Sequence, residues 1–392
     1  MTNSISNSKI MVVTHYRAYS AAQALRDFLR ISNCESLLYI SHPLPPISKD
    51  EKNRSFAQIS KKSIIKHTCH TALHFQNLLL TTLLEFSLTL LWSFRTNVHY
   101  DLFIGVDNLN ALHGLLLKKL GKVKKVVYYT IDYFPTRFEN KFLNWMYHAT
   151  DKFCVRHADE TWNVSSVMAR AREKFNGMAG AVYQRQYTVP IGIWYNKAPR
   201  KTFDEIDRYK LVFTGHLLPH MGVDLAIDCL PKIKEKFPKI TLEIIGSGQE
   251  EKRLREIAKK LGIEKSVIFH GWISDRKRLE EILSTGAAGL APFNTNILDE
   301  KVKNADPGKI KDYLSVGLPV IATDAISTKD ELEKAQCAIV IPYEKEQFIK
   351  AVVHLLENAL LLKKYRENAM NYVKKFDYAK IFLPNINRML RN

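Results

Sequence analysis

The sequence predicts an α/β protein made of two doubly wound domains in succession. The chain has 392 residues, about twice the length of an ordinary domain. Short apolar runs alternate with stretches of helical period, as buried parallel strands and their crossover helices do. That rhythm pauses near residues 190–201 and begins again after residue 208.

In the first half, KIMVVT at 9–14 is an apolar run bounded by polar residues, and the helical pattern of 21–29 follows it. SLLYI at 36–40 is the next strand, closed by HPLPP at 42–46. Strands at 101–106 and 126–130 flank a helix at 109–120. In the second half, strands are expected at 209–214, 240–245, 266–269, 287–291, 320–322 and 338–341. Helices fill the gaps at 222–237, 250–261, 277–283 and 309–316, with a long one from 344. The domains are accordingly placed at 1–195 and 196–375.

The segment LLLTTLLEFSLTLLWSF at 78–94 holds Glu85 near its middle and is short for a membrane span of about 20 residues. A buried or amphipathic helix is expected. Its alternative lies in a membrane interface, with Trp92 and Arg95 at its end.

Hydrophobic residues make up 46% and charged residues 25%, which excludes disordered and fibrous classes. The net charge of +18 is unusual. Up to residue 195 there are 24 lysines and arginines against 13 aspartates and glutamates; beyond it, 34 against 27. Such a surface attracts phosphorylated small molecules or anionic lipid. Nucleic acid is not an expected partner, because the basic residues are scattered and no recognition motif accompanies them. The five cysteines form no CxxC pair and no histidine-spaced metal pattern, so no metal site is expected. The polar N-terminus has no apolar stretch before Lys9, and the expected location is cytoplasmic. Peripheral association with the inner face of an anionic membrane is the extension that the basic first half and the 78–94 helix suggest.

The chemistry concentrates in the second half. Gly215 follows one strand, and Gly246 and Gly248 follow the next. Glycines at strand ends before helices let backbone N–H groups approach a phosphate, and adjacent loops of this kind make a nucleotide-sized crevice. Lys309 and Asp312 share one helical face. The lysine offers charge to a diphosphate and the carboxylate accepts from ribose hydroxyls; alternatively the two form an exposed ion pair. Asp132 precedes YFP at 133–135 and either acts in catalysis or caps that turn. His15 and Arg17 lie in the exit loop of the first strand, where they could meet phosphate or an acceptor.

Taken in order, the Gly215 turn, GVDLAID at 222–228, IIGSG at 244–248, FHGWIS at 269–274 and GKIKDYLSVGLPVIATD at 308–324 resemble the nucleotide-binding domain of retaining GT-B glycosyltransferases, family 4. DLFIGVDNLNALHG at 101–114, TIDYFPTRF at 130–138 and VPIGIW at 189–194 are similar to that family's acceptor domain and its exit strand. FDYAKIF at 376–382 resembles the segment in which such chains cross back, implying that the helix 376–392 packs onto the first domain.

The resemblance implies two Rossmann-like domains facing a cleft. The donor, a UDP- or GDP-sugar, binds the second domain, and a glycan or lipid-linked acceptor binds the first. Transfer proceeds with retention, without a metal ion and without a cofactor. Asp312 stands where the family places its ribose-binding acid, and Asn304 or Asp306 stands near its sugar-binding acid. Lys309 matches the family's lysine. His216 replaces the usual arginine and Met221 the usual lysine, leaving Lys309, His216 and His220 to supply charge, with Arg137 from the other domain. Gly271, Trp272 and Ile273 are placed near the base. On the acceptor side Ser20 and Ala21 replace a glycine pair, and Ile131-Asp132 replaces His-Asp. Two alternatives remain: a sugar-nucleotide epimerase of the same fold, and a catalytically silent partner subunit that binds a sugar nucleotide.

Overall fold

The computed structural model describes residues 4–16, 19–43, 54–71, 77–298 and 308–391. The chain forms two compact units, Met1–Ile191 with Tyr378–Asn392, and Gly192–Asp377.

The first unit holds eight strands: β1 (Lys9–Tyr16), β2 (Ser36–Pro43), β3 (Phe56–Lys61), β4 (Ile64–His70), β5 (Tyr100–Val106), β6 (Val123–Thr130), β7 (Glu160–Asn163) and β8 (Gln186–Thr188). They form one sheet in the order β4-β3-β2-β1-β5-β6-β7-β8. All pairs are parallel except β2–β3 and β3–β4. The topological reversal falls between β1 and β5, where Ile10 stands opposite Leu102.

The hairpin β3–β4 was not expected from the sequence. Two-residue hairpin turns usually advertise themselves as Asn-Gly, whereas here Lys62 (φ 43°) and Ser63 (φ 72°) take the left-handed turn positions. The Ser63 hydroxyl reaches the Arg30 carbonyl and the Asn33 side-chain oxygen, so tertiary contacts hold a turn that local propensity does not favour.

The helices of this unit are α1 (Ala21–Ile31), α2 (Leu78–Arg95), α3 (Asn108–Lys119), α4 (Lys141–His157) and α5 (Ser166–Asn176). Asn77 caps α2 by accepting from the Leu79 and Leu80 amides. The 78–94 segment is amphipathic, with its polar side inward: Thr81, Glu85, Thr89 and Ser93 are buried while Leu79, Leu83, Leu91 and Phe94 are exposed. Trp92, which the alternative reading places at a membrane interface, is 5% exposed, packed in a cluster with Met11, Leu38 and Phe103. Among the described residues no helix is long and apolar enough to cross a membrane.

The second unit is a six-stranded parallel sheet: β9 (Lys210–Thr214), β10 (Thr241–Ile245), β11 (Val267–Gly271), β12 (Ala288–Ala291), β13 (Val320–Thr323) and β14 (Ala338–Ile341). Its order, β11-β10-β9-β12-β13-β14, is the doubly wound order of dinucleotide-binding folds, with its switch point between the first and fourth strands. The helices are α6 (Val223–Lys236), α7 (Glu251–Lys260), α8 (Arg276–Ser284), α9 (Gly308–Ser315), α10 (Lys329–Lys334), α11 (Lys345–Glu357) and α12 (Ala359–Val373). The long helix expected from 344 breaks at Asn358, whose side chain caps α12 through the Leu361 amide.

The last helix, α13 (Tyr378–Arg391), belongs to the first unit. Phe382 packs on Phe28 of α1 with ring centroids 5.6 Å apart. Arg388 donates to both Glu160 oxygens at 2.7 and 2.8 Å.

Candidate functional site

In the second unit the site is built at the sheet's switch point, where β9 and β12 diverge. Tyr313 of α9 holds this point: its hydroxyl accepts from the Thr214 amide (2.8 Å) and donates to the Leu290 carbonyl (3.1 Å). Gly289 makes room for the ring, since a Cβ there would stand 2.4 Å from it. The tyrosine thereby fixes the helix that carries Lys309 and Asp312 against the strand that ends at Thr214, just before Gly215.

The loops after β9 and β10 touch backbone to backbone. A Cβ on Gly246 (φ 152°) would stand 1.8 Å from the Gly215 carbonyl oxygen, so no other residue fits. The Gly215 and Gly246 amides prolong the ladder, donating to the Ile245 and Gly271 carbonyls. The next amides, those of His216 and Ser247, make no hydrogen bond among the described residues. Gly248 lies tight against the Leu217 carbonyl.

Lys309 lies directly over this turn. Its Nζ sits 2.9 Å from where a Gly215 Cβ would be, 4.3 Å from the Phe213 ring centroid and 5.1 Å from that of Phe293. Its hydrogen-bond partner is the Met221 thioether at 3.4 Å; among the described residues no carboxylate pairs with it. Burial in these apolar surroundings lowers its pKa to about 7. The expected alternative of an ion pair between Lys309 and Asp312 does not form. Asp312 instead accepts from Arg276 Nη2 at 2.7 Å, and Arg276 Nε binds Glu280 at 2.6 Å. Only one Asp312 oxygen is engaged this way.

His216 and Trp272 stack with centroids 5.4 Å apart and planes inclined by 20°. Trp272, just past Gly271 (φ 69°), is exposed, and Ile273 packs at the edge of the core. His220 lies in a short turn whose carbonyl accepts from the Asn294 amide. Asn304 and Asp306 lie outside the described residues.

In the first unit, several polar side chains meet near the β1/β5 reversal. His15 is engaged at both ring nitrogens: Nε2 lies 3.1 Å from Glu85 and Nδ1 lies 3.0 Å from Asn110 Nδ2. Asn110 Nδ2 also donates to the Val106 carbonyl, which makes it a donor toward His15 and places the imidazole proton toward Glu85. Burial alone would lower the His15 pKa, but the Glu85 hydrogen bond and charge raise it. Next to it, His42 bridges Ser55 and Thr89, each at 2.9 Å. Burial depresses His42 well below its ordinary range and His113 to about 3.

Asp132 accepts no hydrogen bond among the described residues, so it does not cap its turn. Its pKa is raised by desolvation first and then by the Asp107 carboxylate, with Arg137 opposing. Arg137 lies over the Phe134 and Tyr147 rings at 5.3 and 5.4 Å. Ser20 directs both its amide and its hydroxyl to Gln23 Oε1, starting α1. Arg17 lies outside the described residues.

Four residues escaped the sequence reading. Arg276 has no motif of its own. Tyr313 reads as one more apolar position on a helix. Glu85 reads as an interruption of an apolar segment. Asp107 lies between β5 and α3 at φ 74° and ψ 161°, a region that is nearly glycine's alone and whose strain collects at functional sites. Burial raises its pKa, with His15 and Arg137 opposing.

Residues 196–372, within the second unit, match the family model described as Glycosyl transferases group 1. A phosphatidyl-myo-inositol mannosyltransferase of Mycobacterium leprae is 26% identical over 162 residues, 41% of this chain and 40% of that protein. An uncharacterized glycosyltransferase of Haemophilus influenzae is 34% identical over 71 residues, 18% of this chain and 20% of that protein. The chain thus spans well under two-thirds of these relatives' length. Among solved structures, Anabaena HepE in complex with UDP superposes with a TM-score of 0.67 at 14% identity, covering 98% of this chain and 99% of that one. Sucrose-phosphate synthase from Thermosynechococcus elongatus gives 0.69 at 14% identity, covering 98% of each. The architecture is the two-domain GT-B fold.

Proposed function

We propose that this chain is a glycosyltransferase moving a sugar from a nucleoside-diphosphate sugar, UDP- or GDP-linked, to a glycan or lipid-linked acceptor, with retention of configuration and without a metal ion. The observation that carries the reading is Lys309, an ammonium enclosed by Phe213, Phe293 and Met221 beside the Gly215 turn, with no carboxylate partner among the described residues. A buried charge without a counterion is costly, and a diphosphate would supply the missing anion. As the glycosidic bond breaks, negative charge builds on that diphosphate. Lys309 and the His216 and Ser247 amides would be placed to stabilise it.

In this reading the free Asp312 oxygen takes ribose hydroxyls while Arg276 fixes the carboxylate. The Trp272–His216 stack offers the base a flat platform. Asp132, at raised pKa, serves the acceptor side, with Arg137 beside it. The glycosyl transferases group 1 match over the second unit supports the donor half of the proposal.

Thermal-shift screening against UDP, GDP, ADP and their sugar conjugates tests it, because a ligand at about 100 times its Kd stabilises by about 2.7 kcal/mol. One nucleotide class should raise the Tm, and Asp312→Ala should abolish the rise. If no nucleotide shifts the wild type, the donor assignment is wrong. A second reading, a silent nucleotide-sugar-binding partner, is favoured by Met221, whose thioether occupies the Lys309 ammonium. Nucleotide binding with no product from any acceptor would support it, and an isomerised donor would point to an epimerase.

A further inference from the structure

We infer that the helical layer α2–α3–α4 of the first unit is a docking surface for an anionic lipid bilayer. The three helices lie side by side, with α3 touching both α2 and α4. On α2 the outward positions Leu79, Leu83, Leu91 and Phe94 are exposed, Leu83 at 63%. The polar Thr81, Glu85, Thr89 and Ser93 of the same helix are buried, together with Leu88 and Trp92. On α4, Phe142, Trp145 and Phe153 are exposed, Trp145 at 64%. The Phe142 and Trp145 rings stack with centroids 6.0 Å apart and planes inclined by 24°.

Charge identifies the occupant. Glu85 and Asp151 are the only carboxylates that the three helices contain, and both are buried, at 4% and 0%. No acidic side chain of these helices therefore faces outward. The exposed charges between the apolar groups are all cations: Arg95, Lys119, Lys141, Lys152 and Arg156. Exposed leucines, a tryptophan and interleaved basic residues without a counter-charge are what binds the interface of an anionic membrane. The apolar groups run as a stripe along the 18 residues of α2, about 27 Å of helix, rather than gathering into a pocket for one partner side chain. No described helix can cross the bilayer, so the layer lies on it.

This inference goes beyond sugar transfer and does not depend on it; the experiment contains no donor. The purified full chain is floated with vesicles of phosphatidylcholine alone, or with roughly one-third phosphatidylglycerol. We expect binding to the anionic vesicles at least roughly tenfold stronger than to the neutral ones, weakening as salt rises. The double variant Leu83→Glu, Trp145→Glu alters exposed positions only, and an unchanged Tm verifies its fold. It should lose roughly tenfold in bound fraction, and Lys141→Glu, Lys152→Glu should lose the preference for anionic lipid. Failure to float, equal binding to both vesicles, or wild-type binding by the glutamate variant overturns the proposal. A solution dimer that this variant converts to monomer, with no vesicle binding by either form, would overturn it in favour of a contact between copies.

Discussion

Lys309 is held at a pKa of about 7 by burial alone, against an ordinary value near 10.5. That displacement corresponds to roughly 4–5 kcal/mol of unfavourable desolvation, an upper limit on what a bound anion can recover. Lys309→Met should leave the fold intact and cost about 1.5–3 kcal/mol of nucleotide affinity, roughly 10- to 150-fold in Kd by calorimetry. Arg172 and Asp151 are both fully buried and pair through Nε and Nη2 at 2.9 Å. Tyr128, Asn163 and Thr130 complete the network just below the Asp132 turn. Removing one partner strands the other's charge, so Arg172→Met should cost about 3–5 kcal/mol in chemical denaturation. Asp107 makes the opposite kind of prediction. Asp107→Gly relieves a backbone conformation that costs about 1–3 kcal/mol and should raise the Tm. If the strain serves the acceptor site, the same variant should lose transfer activity.

At the scale of elements, α2 is decisive. Each exposed leucine on it forgoes about 1.5–3 kcal/mol of burial, while its inward face supplies Glu85 to His15 and Thr89 to His42. His42 and His113 are held neutral, with pKa values below that of the unfolded chain near 6.5. Protons refused by the fold are taken up on unfolding, so stability is complete above about pH 6.5 and falls as the pH drops, for His113 toward about 3. His15, facing Glu85, Asp107 and Arg137, shifts the other way; its contribution is present below pH 6.5 and is lost at higher pH. Below pH 6.5 the His15 contribution is complete and adds no opposing slope, so the two lowered histidines, at up to about 1.4 kcal/mol per pH unit each, should make the Tm fall between pH 6.5 and 4.5. His113→Phe should flatten that fall, and an unchanged profile would show that His113 is not neutral in the fold. The strands of the second unit were readable as apolar runs of strand length because its sheet is parallel and buried. The β3–β4 hairpin was not, because its turn is held by Ser63 contacting Arg30 and Asn33 rather than by glycine.

At the scale of the whole molecule, the two α/β units and the switch-point crevice were legible because chain order alone specifies them: strand, glycine turn, helix, repeated. Lys309, Gly215 and Gly246 come together as the sequence implied. The partner of Asp312 was not legible, since Arg276 reaches it from 36 positions away. Nor was the inversion of α2, because apolar residues are expected to face inward, and only the neighbouring strands decide that Thr81 is buried and Leu79 exposed. Part of the excess positive charge, heaviest before residue 195, lies on the α2–α4 face as Arg95, Lys119, Lys141, Lys152 and Arg156. The central claim is that Lys309 receives a diphosphate. It is tested most directly by calorimetric titration of the matching nucleoside diphosphate near pH 8, in buffers of different ionisation enthalpy. An incoming diphosphate should raise the lysine pKa, so binding should take up protons, and Lys309→Met should bind weakly without uptake. Tight binding without proton uptake, unchanged by Lys309→Met, would contradict the assignment.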